Sequence, residues 1–521
     1  MLWLAVHLPL LSLEAFCVTL DAARREGPVA LLQAHRIAAV NPAAARCGVQ
    51  TGSQRATALA LAPALVLGQA DAARDARALQ SVVHAALAFT PSVALHGTQT
   101  VLMEVQTCLR YWGGVVALQA RLHQALAPLG HHVQLAGAPT ALGAALLAAW
   151  REDCAQGPHL NDRAALQALL DAAPVWLLGP GREHWEALQG MGLQTLSDLR
   201  ALPRSGLARR FGTALLDDLD RARGERADPR RWLQPPTVFD SQLELFARAD
   251  SSAQVLHGAE ILLARLVAWA QARQSRVVAF TLRMLHDRLR APGAVPADEG
   301  EPRHDGPPHT ALRIELAVPS ADPAHLRLVL RERLARQPLP APTLELRLHC
   351  RELLQAAAPS GELFATRQAE AEGLLRLLER LRARLGDERV QPIRLRADHR
   401  PEHATGLQAG RPPDHRPQDL PPPPPSMLPL TRPVWLLRVP QPLPERQSVP
   451  WHEGRPLTLL CGPDRIEAGW WDGAPTVRDY FIAQDENGVL LWLYRTRLPA
   501  AVAAGAADSA ADGWHLHGRF G

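Results

Sequence analysis

Lysine is absent from this chain of 521 residues, in which all 56 basic side chains are arginine. This absence excludes chemistry that depends on a lysine amine. Arginine instead presents a planar fork of N–H donors, which suits the recognition of phosphate groups. The formal net charge is nevertheless only +4. The composition therefore favours phosphate recognition through guanidinium groups.

Cysteine is scarce and scattered. The chain has no CxxC pair and no cysteine spacing typical of a metal site. The six cysteines are Cys17, Cys47, Cys108, Cys154, Cys350 and Cys461. Isolated thiols of this kind are typical of a reducing compartment. We therefore predict a cytoplasmic protein with no metal site and no cofactor.

Long apolar runs are also missing. No stretch has the length that a membrane-spanning helix needs. The apolar start lacks a basic leader, is interrupted by His7 and Glu14, and is not followed by an A-x-A-like cleavage site. The sequence therefore predicts a soluble protein with no signal peptide and no membrane partner.

The length predicts three or four domains, and the apolar pattern predicts an α+β multidomain fold. Residues 1–170 alternate short apolar strands with Ala/Leu-rich helices. The predicted strands are residues 3–6, 29–32, 65–67, 93–95, 101–105 and 133–136. The predicted helices include residues 73–87, 115–126 and 141–149.

Residues 171–232 form a small helical unit with two glycine-rich turns, at 178–181 and 190–193. Such turns expose backbone N–H groups to phosphates in helix-hairpin-helix units, and Thr195 is placed to cap the next helix. An arginine cluster follows, although a solvated helical face explains any single arginine equally well. The predicted DNA-binding residues are Gly179, Gly181, Gly190, Gly192, Thr195, Arg200, Arg204, Arg209 and Arg210.

Residues 237–350 read as strand, helix, strand, strand, helix, strand, which predicts a four-stranded sheet with both helices on one face. The predicted strands are residues 238–246, 277–285, 311–317 and 343–349, and the helices are residues 253–272 and 323–334. Residues 287–308 are rich in proline, glycine and charge and are predicted to form a long loop.

The remaining chain divides into three segments. A helical extension is predicted at 351–400, a proline-rich linker at 401–433 and a small β-rich module at 434–521. The aromatic and arginine side chains of the last module either form a binding surface or pack as its core. The predicted partner-binding residues are Arg465, Trp470, Trp471, Arg478, Trp492 and Trp514.

This order of units resembles the palm and fingers, thumb and little finger of Y-family (DinB/UmuC-like) translesion DNA polymerases, with the fingers at about 18–75. Segments 41–52 and 137–143 are similar to a fingers segment and to the late palm turn of that family. Segments 465–471 and 514–518 resemble signatures of the ImuB-type group. That group is regarded as a non-catalytic branch acting in damage-induced (SOS) mutagenesis.

The departures from the family pattern fall at its metal site. The metal-binding acids fall on His7, Gln99 and Thr100, and Pro9 offers no side-chain oxygen. Mg²⁺ prefers oxygen ligands, so these residues are poor substitutes for carboxylates. The resemblance therefore implies a pseudo-polymerase rather than an enzyme.

The positions that hold the nucleotide in this family also depart from its pattern. The family's tyrosine and arginine that hold the triphosphate fall on Pro42 and Ala45. Two alternatives remain: an active Y-family polymerase that uses displaced acids such as Glu104 or Asp71, and a general DNA-binding protein with no role in synthesis.

The resemblance also implies partners. These are damaged or primer-template DNA, the β sliding clamp, an error-prone replicative-type polymerase and a RecA-like accessory protein. A clamp peptide needs a Gln anchor and two apolar side chains. We favour Leu363 and Phe364, within 360–364, because a peptide inside a strand cannot enter a pocket. The alternative is Gln242, Leu245 and Phe246, within 242–246.

Overall fold

The computed structural model describes residues 1–287, 309–355, 367–391, 393–407, 432–497 and 513–520. The chain forms two compact units, Met1–Arg384 and Leu385–Gly521. Among the described helices, none combines the length and the apolar character that a bilayer-spanning segment needs.

The N-terminal region of the first unit contains two sheets and eight helices within its 150 residues, all of them described. Its elements are β1 (Trp3–His7), α1 (Leu11–Cys17), α2 (Ala22–Glu26), β2 (Val29–Gln33), β3 (Arg36–Val40), α3 (Pro42–Arg46), α4 (Arg55–Leu61), β4 (Val66–Gln69), α5 (Ala72–Leu87), β5 (Val93–His96), β6 (Thr100–Glu104), α6 (Leu109–Trp112), α7 (Val115–Leu126), β7 (Gln134–Ala138) and α8 (Ala141–Trp150). The larger sheet is the predicted palm, and the smaller one, in the order β3-β2-β4, lies in the predicted fingers.

The palm sheet has the order β5-β6-β1-β7, and each neighbouring pair is antiparallel. Successive side chains of β1 point to opposite faces. Leu4 and Val6 pack against α5 and α7, whereas Trp3 and Ala5 pack on the side of α8. Both faces of β1 are therefore buried.

The helical unit that follows shares its core with the palm. Its helices are α9 (Arg163–Asp171), α10 (Gly179–Glu183), α11 (Trp185–Gly190), α12 (Leu196–Ala201), α13 (Arg204–Phe211) and α14 (Thr213–Arg223). Leucines such as Leu170, Leu196 and Leu219 extend the cluster that α8 forms with Trp3 and Ala5. The predicted thumb thus packs directly against the palm.

The predicted little finger has the expected order of elements. They are β8 (Phe239–Ala249), α15 (Ser252–Ala272), β9 (Ser275–His286), β10 (His309–Ser320), α16 (Pro323–Arg336) and β11 (Thr343–Gln355), with the sheet order β10-β9-β11-β8. Both helices pack into one core with the sheet, as predicted. Ala264 and Ala268 of α15 also pack against the palm core that includes α5. The loop predicted at 287–308 lies outside the described residues after Asp287.

Helix α17 (Arg367–Leu385) follows the little finger and lies within the segment 351–400 that was predicted as a helical extension. The Glu379 carboxylate accepts a hydrogen bond from the Ala317 amide at 3.1 Å and lies 3.1 Å from His325 Nε2. Glu379 and His325 are both buried. This pair fixes α17 to the little finger.

The second unit is β-structured. Its strands are β12 (Ile393–Leu395), β13 (Thr405–Leu407), β14 (Trp435–Leu443), β15 (Glu445–Arg446), β16 (Val449–His452), β17 (Arg455–Pro456), β18 (Thr458–Ala468), β19 (Thr476–Gln484), β20 (Leu490–Thr496) and β21 (Trp514–Arg519). Five of them form a sheet in the order β14-β21-β20-β19-β18. One cluster contains Leu493 and Trp514, and another contains Tyr480 and Trp492. The predicted class, α+β with a β-rich C-terminal part, is confirmed.

The start of the predicted linker belongs to this unit. The Arg400 guanidinium binds the carboxylates of Asp398 and Asp472, and Glu402 binds Arg478 at 2.8 Å. Residues 393–407 also contain the β12–β13 hairpin, which the sequence analysis missed. The other predicted domain limits stay predictions, and residues 408–431 lie outside the described part of the chain.

Trp492 and Trp470 provide a matched test of this sheet. Trp492 is 3% exposed and stacks on Tyr480 with 4.1 Å between ring centroids, whereas Trp470 is 72% exposed. Trp492→Ala should remove about 3–5 kcal/mol of local stability because it leaves a cavity. Amide hydrogen exchange of β19 and β20 in the full chain should then accelerate by about a hundredfold or more. Trp470→Ala should leave exchange unchanged, and equal exchange in the two variants would contradict this assignment.

Candidate nucleic-acid interface

The predicted metal positions meet at the end of the palm sheet. Across the strands, His96 of β5 pairs with Thr100 of β6, Thr100 pairs with His7 of β1, and His7 pairs with Gln134 of β7. We call this row of four residues the palm edge. Directly opposed residues project their side chains to the same face of a sheet. His7 Nδ1 lies 2.9 Å from Thr100 Oγ1, within hydrogen-bond distance.

Gln99 and Pro9 lie beside the palm edge. The Leu8 amide donates a hydrogen bond to the Gln99 carbonyl at 2.9 Å, so the chain after β1 stays next to the turn between β5 and β6. The structure therefore brings His7, Gln99 and Thr100 together, as the resemblance implied.

The charges around the palm edge differ in kind from those of a metal site. Burial lowers the pKa of His7, and the positive charges of His96 and Arg182 lower it further. Burial also lowers the pKa of His96, with Arg230 acting in the same direction and Asp218 and Asp228 against it. Across the described part of the chain, no group of three or more His, Cys, Asp or Glu side chains converges to hold a metal ion.

Glu104 does not reach the palm edge, and Asp71 serves as a helix cap. Glu104 pairs with Trp3, four positions along β6 from Thr100 and about 13 Å away. Its carboxylate accepts a hydrogen bond from the Gln106 amide at 3.2 Å. Asp71 caps α5 by accepting hydrogen bonds from the Ala73 and Arg74 amides at 2.8 and 3.2 Å. The alternative of a polymerase that uses these acids gains no support.

The nucleotide-grip positions are apolar and exposed. Pro42 begins α3, and the Asn41 side chain caps this helix by accepting a hydrogen bond from the Ala44 amide at 2.8 Å. Ala45 follows on the same short helix. Neither Pro42 nor Ala45 has a side-chain donor for a triphosphate.

Thr195 caps α12 as predicted, but a carboxylate already occupies the amides of this turn. The Thr195 hydroxyl accepts from the Asp198 amide, and Asp198 Oδ2 accepts from the amides of Thr195 and Gln194 at 2.8 and 3.0 Å. These hydrogen bonds lower the pKa of Asp198. A phosphate at this turn would have to displace the Asp198 carboxylate. The sequence signal was present, because Thr195 and Asp198 form a capping box.

The four predicted glycines differ in their surroundings. Gly192 has a φ of +80° in the turn after α11, and Gly190 is the last residue of that helix. A Cβ at Gly179 would meet no atom within 4 Å, whereas a Cβ at Gly181 would lie 2.2 Å from the Val175 carbonyl oxygen. Gly181 is therefore required for packing.

Two of the four predicted DNA-binding arginines form ion pairs within the thumb. Arg200 binds Asp171 at 2.6 Å, and Arg204 binds Asp220 at 2.6 Å. Sequence analysis missed these acidic partners, which lie 29 and 16 residues away along the chain. The pairs offset the charge that phosphate binding would need.

Several exposed arginines of the thumb, Arg231 among them, have no carboxylate within 4 Å in the described residues, and three of these lie in α10 and α13. Arg209 and Arg210 belong to the predicted set, and Arg210 lies over the Phe211 ring at 5.5 Å. Arg182, which the prediction omitted, lies over Trp176 at 5.5 Å. These three guanidinium groups are the thumb cations best placed to bind a phosphate.

The partner-binding prediction is corrected for two tryptophans. Trp492 and Trp514 are 3% and 4% exposed, so they pack inside the module and offer no contact surface. Arg465 binds Asp479 at 2.7 Å, and Arg478 binds Glu402. Trp470 and Trp471 remain exposed and meet edge to face.

The alternative clamp peptide is fixed in the structure. Leu243 and Leu245 pack in the little-finger core, and Arg265 donates to the Gln242 carbonyl at 3.5 Å. Phe246 packs edge to face on Phe16, and its amide donates to the Thr19 carbonyl at 3.1 Å. The favoured candidate, 360–364 with Leu363 and Phe364, lies outside the described residues.

This chain is similar in sequence to known proteins. Residues 11–149 match the impB/mucB/samB family. Protein ImuB from two strains of Caulobacter vibrioides, NA1000 / CB15N and ATCC 19089 / CIP 103742 / CB 15, is 28% identical over 494 residues, which cover 91% of this chain and 100% of the relative. The chain is a homologue of ImuB.

Solved structures similar to the chain include a Dbh ternary complex and DinB from Sulfolobus solfataricus. They are 14% and 15% identical, with TM-scores of 0.37 and 0.36. Each comparison covers 67% of this chain and 98% of the solved chain.

Gly181 and Gly179 provide a matched test of packing in the thumb, because a Cβ would clash at the first and meet no atom at the second. Gly181→Ala should destabilise the thumb by about 2 kcal/mol or more, because its Cβ overlaps the Val175 carbonyl. Gly179→Ala should change stability by less than about 1 kcal/mol, because the space is open and alanine favours a helix. Hydrogen exchange of residues 175–190 in the full chain measures the difference. Equal protection in both variants would show that the thumb tolerates a side chain at Gly181.

Proposed function

We propose that the chain is a non-catalytic, Y-family polymerase-like adaptor in damage-induced translesion DNA synthesis and mutagenesis. It links DNA, the sliding clamp and an error-prone polymerase. Homology to ImuB supports the coarser role, that of a damage-related polymerase-like protein. The observation that carries the finer proposal is the palm edge, where His7 lies 2.9 Å from Thr100 at the predicted metal positions.

Nucleotidyl transfer with two metals depends on carboxylates that hold the ions over the reacting phosphates. His7 is a nitrogen ligand, Thr100 has a neutral hydroxyl group, and the positive charge of Arg182 acts on His7. A divalent cation would be repelled where an active palm attracts it. Because each factor of ten in rate corresponds to about 1.4 kcal/mol, losing several kcal/mol of charge stabilisation removes several orders of magnitude.

The proposed DNA contacts use guanidinium groups that recognise phosphates without reading sequence. Arg209 and Arg210 are exposed on α13. On the exposed face of the little-finger sheet, Arg283 and Arg347 are cross-strand neighbours, and Arg347 also forms a two-point pair with Asp240. Primer-template DNA is the proposed ligand of both surfaces.

The proposed protein contacts lie after residue 350. Clamp docking is assigned to Leu363 and Phe364, because the competing peptide at 242–246 is held by backbone and core contacts. Trp470 and Trp471 are proposed to dock an error-prone replicative-type polymerase or a RecA-like accessory protein, since exposed tryptophans are frequent anchors of interfaces. The proposed setting is the cytoplasm.

The absence of polymerase activity is the direct test. Purified full-length chain should extend no primer with Mg²⁺ or Mn²⁺, because no carboxylates hold the ions and Pro42 and Ala45 leave the triphosphate without a grip. The double variant His7→Asp/Gln99→Asp should also lack activity, because Pro42 and Ala45 still leave the triphosphate without a grip. Metal-dependent incorporation that persists after repurification and disappears in Glu104→Gln would overturn the non-catalytic proposal.

The clamp assignment makes a separate prediction. Leu363→Ala/Phe364→Ala should remove two buried anchors, at a cost on the order of 2 kcal/mol or more, and so raise the Kd for purified β clamp at least about thirtyfold. DNA binding should be unchanged, because neither side chain contacts a phosphate in this proposal. Leu245→Ala/Phe246→Ala, verified as folded, is the matched variant. Loss of clamp binding only in that second variant would move the assignment to 242–246.

A further inference from the structure

The palm edge has features of a binding site beyond the loss of acids. Four polar side chains from four strands form one row, His96, Thr100, His7 and Gln134, and three of the four are partly exposed. Neighbouring residues in such a row have Cβ atoms about 4.5–5.5 Å apart, so they can contact one ligand.

His7 is oriented so that one ring nitrogen is available. Its Nδ1 faces the buried Thr100 hydroxyl at 2.9 Å, which leaves Nε2 for another partner. If the hydroxyl donates to Nδ1, the neutral ring carries its proton on Nε2 and presents a donor. Thr100 therefore acts as a positioning residue for His7.

Arg182 lies on the side of β1 to which His7 points, because it lies over Trp176, which packs against the core that contains Trp3 and Ala5. Arg182 is exposed, and no carboxylate lies within 4 Å of its guanidinium in the described residues. The other charges near the edge are balanced, since Arg230 pairs with Asp228 and Asp218 pairs with Arg221. An anion beside His7 and Arg182 would gain charge-assisted hydrogen bonds from both.

We infer that the palm edge is a metal-independent binding site for a DNA backbone phosphate, held by His7 and Arg182 where a metal ion would otherwise bridge protein and phosphate. This inference rests on the proposed function, because it names one contact that the adaptor makes with DNA. A free triphosphate fits less well, since Pro42 and Ala45 offer no donors for its other phosphates.

Proton uptake should accompany binding. Burial, His96 and Arg182 lower the pKa of His7 in the free protein, so the ring is mostly neutral at pH 7. A phosphate would reverse the sign of the local field and raise the pKa of His7. The charged groups that act on His96 are already held in ion pairs, Arg230 with Asp228 and Asp218 with Arg221. Affinity for DNA should therefore rise as the pH falls through this range.

The test measures binding of full-length chain to a fluorescent primer-template at constant ionic strength, with EDTA or with Mg²⁺. The variant is His7→Gln/Arg182→Gln. The matched control is Arg110→Gln/His123→Gln, which removes an exposed arginine and an exposed histidine from α6 and α7.

We expect the wild type to bind equally well in EDTA and Mg²⁺. The variant should bind about tenfold more weakly, the loss expected for a charge-assisted hydrogen bond. The slope of log K against log salt should fall by about one, because one phosphate contact is lost. The control should change affinity by less than about twofold, and the variant should lose most of the pH dependence.

A second measurement does not depend on how well His7→Gln folds. Methylphosphonate substitutions remove the charge of one DNA phosphate at a time. Removing the charge of one phosphate near the primer end should weaken binding by the wild type. The same substitution should not change binding by the single variant Arg182→Gln, which is altered only at an exposed residue. Absence of such a position, or binding by the double variant equal to wild type, overturns this inference and leaves the adaptor proposal standing. Failure of the wild type to bind any DNA overturns both.

Discussion

The burial of β1 on both faces is the constraint on which the palm depends. Leu4 and Val6 belong to one core, Trp3 and Ala5 belong to the other, and the strand has hydrogen-bonded neighbours on both sides. A shift of one residue in register would exchange these two sets and place apolar side chains where His7 now lies. The position of His7 opposite Thr100 therefore follows from packing, independently of any catalytic demand. Packing of β1 alone is therefore sufficient to fix the geometry of the palm edge.

The absence of lysine affects which cations the thumb presents at its surface. Arginine has fixed donors that match carboxylates in pairs, and several thumb arginines use them within the protein, as Arg200 does with Asp171. Each such pair on the surface contributes little to stability, about 0–1 kcal/mol. Its larger effect is to remove one cation from the surface that DNA could contact. The charge that this surface presents to DNA therefore depends more on where the unpaired cations lie, such as Arg209 and Arg182, than on the number of arginines.

Local patterns predicted the elements well. The helix predicted at 115–126 is α7, and Thr195 caps α12 as expected, because periodicity and capping depend on residues close in sequence. Strand β3 was missed because Ile37 is its only buried residue. The apolar signal of this strand is therefore too weak to detect.

The site residues were harder to predict, because their state depends on contacts distant in sequence. The sequence analysis grouped Trp492, which is 3% exposed, with Trp470, which is 72% exposed. The first lies in a central strand, and the second lies in the turn between β18 and β19. In the same way, the pairing of Arg204 with Asp220 depends on how α13 packs against α14. Proximity of this kind follows from the tertiary fold.

In the C-terminal unit, a glycine and an arginine hold the turn that carries Trp470 and Trp471. Gly469 has a φ of +85°, and a Cβ there would lie 2.1 Å from the Ala474 carbonyl oxygen, so the turn needs glycine. Arg400 binds Asp472 in this turn and lies over the Trp471 ring at 5.6 Å. Beneath it, the Tyr480 hydroxyl contacts His517 Nδ1 at 2.9 Å and accepts a hydrogen bond from Arg478 at 3.2 Å.

Buried polar groups of this kind are stable only when their partners are in place, so the network favours a single register of the sheet. The proposed partner of Trp470 and Trp471 would therefore meet a turn whose backbone is already held in place. Less conformational entropy is lost on binding than with a flexible peptide, so a small aromatic contact can be sufficient for docking.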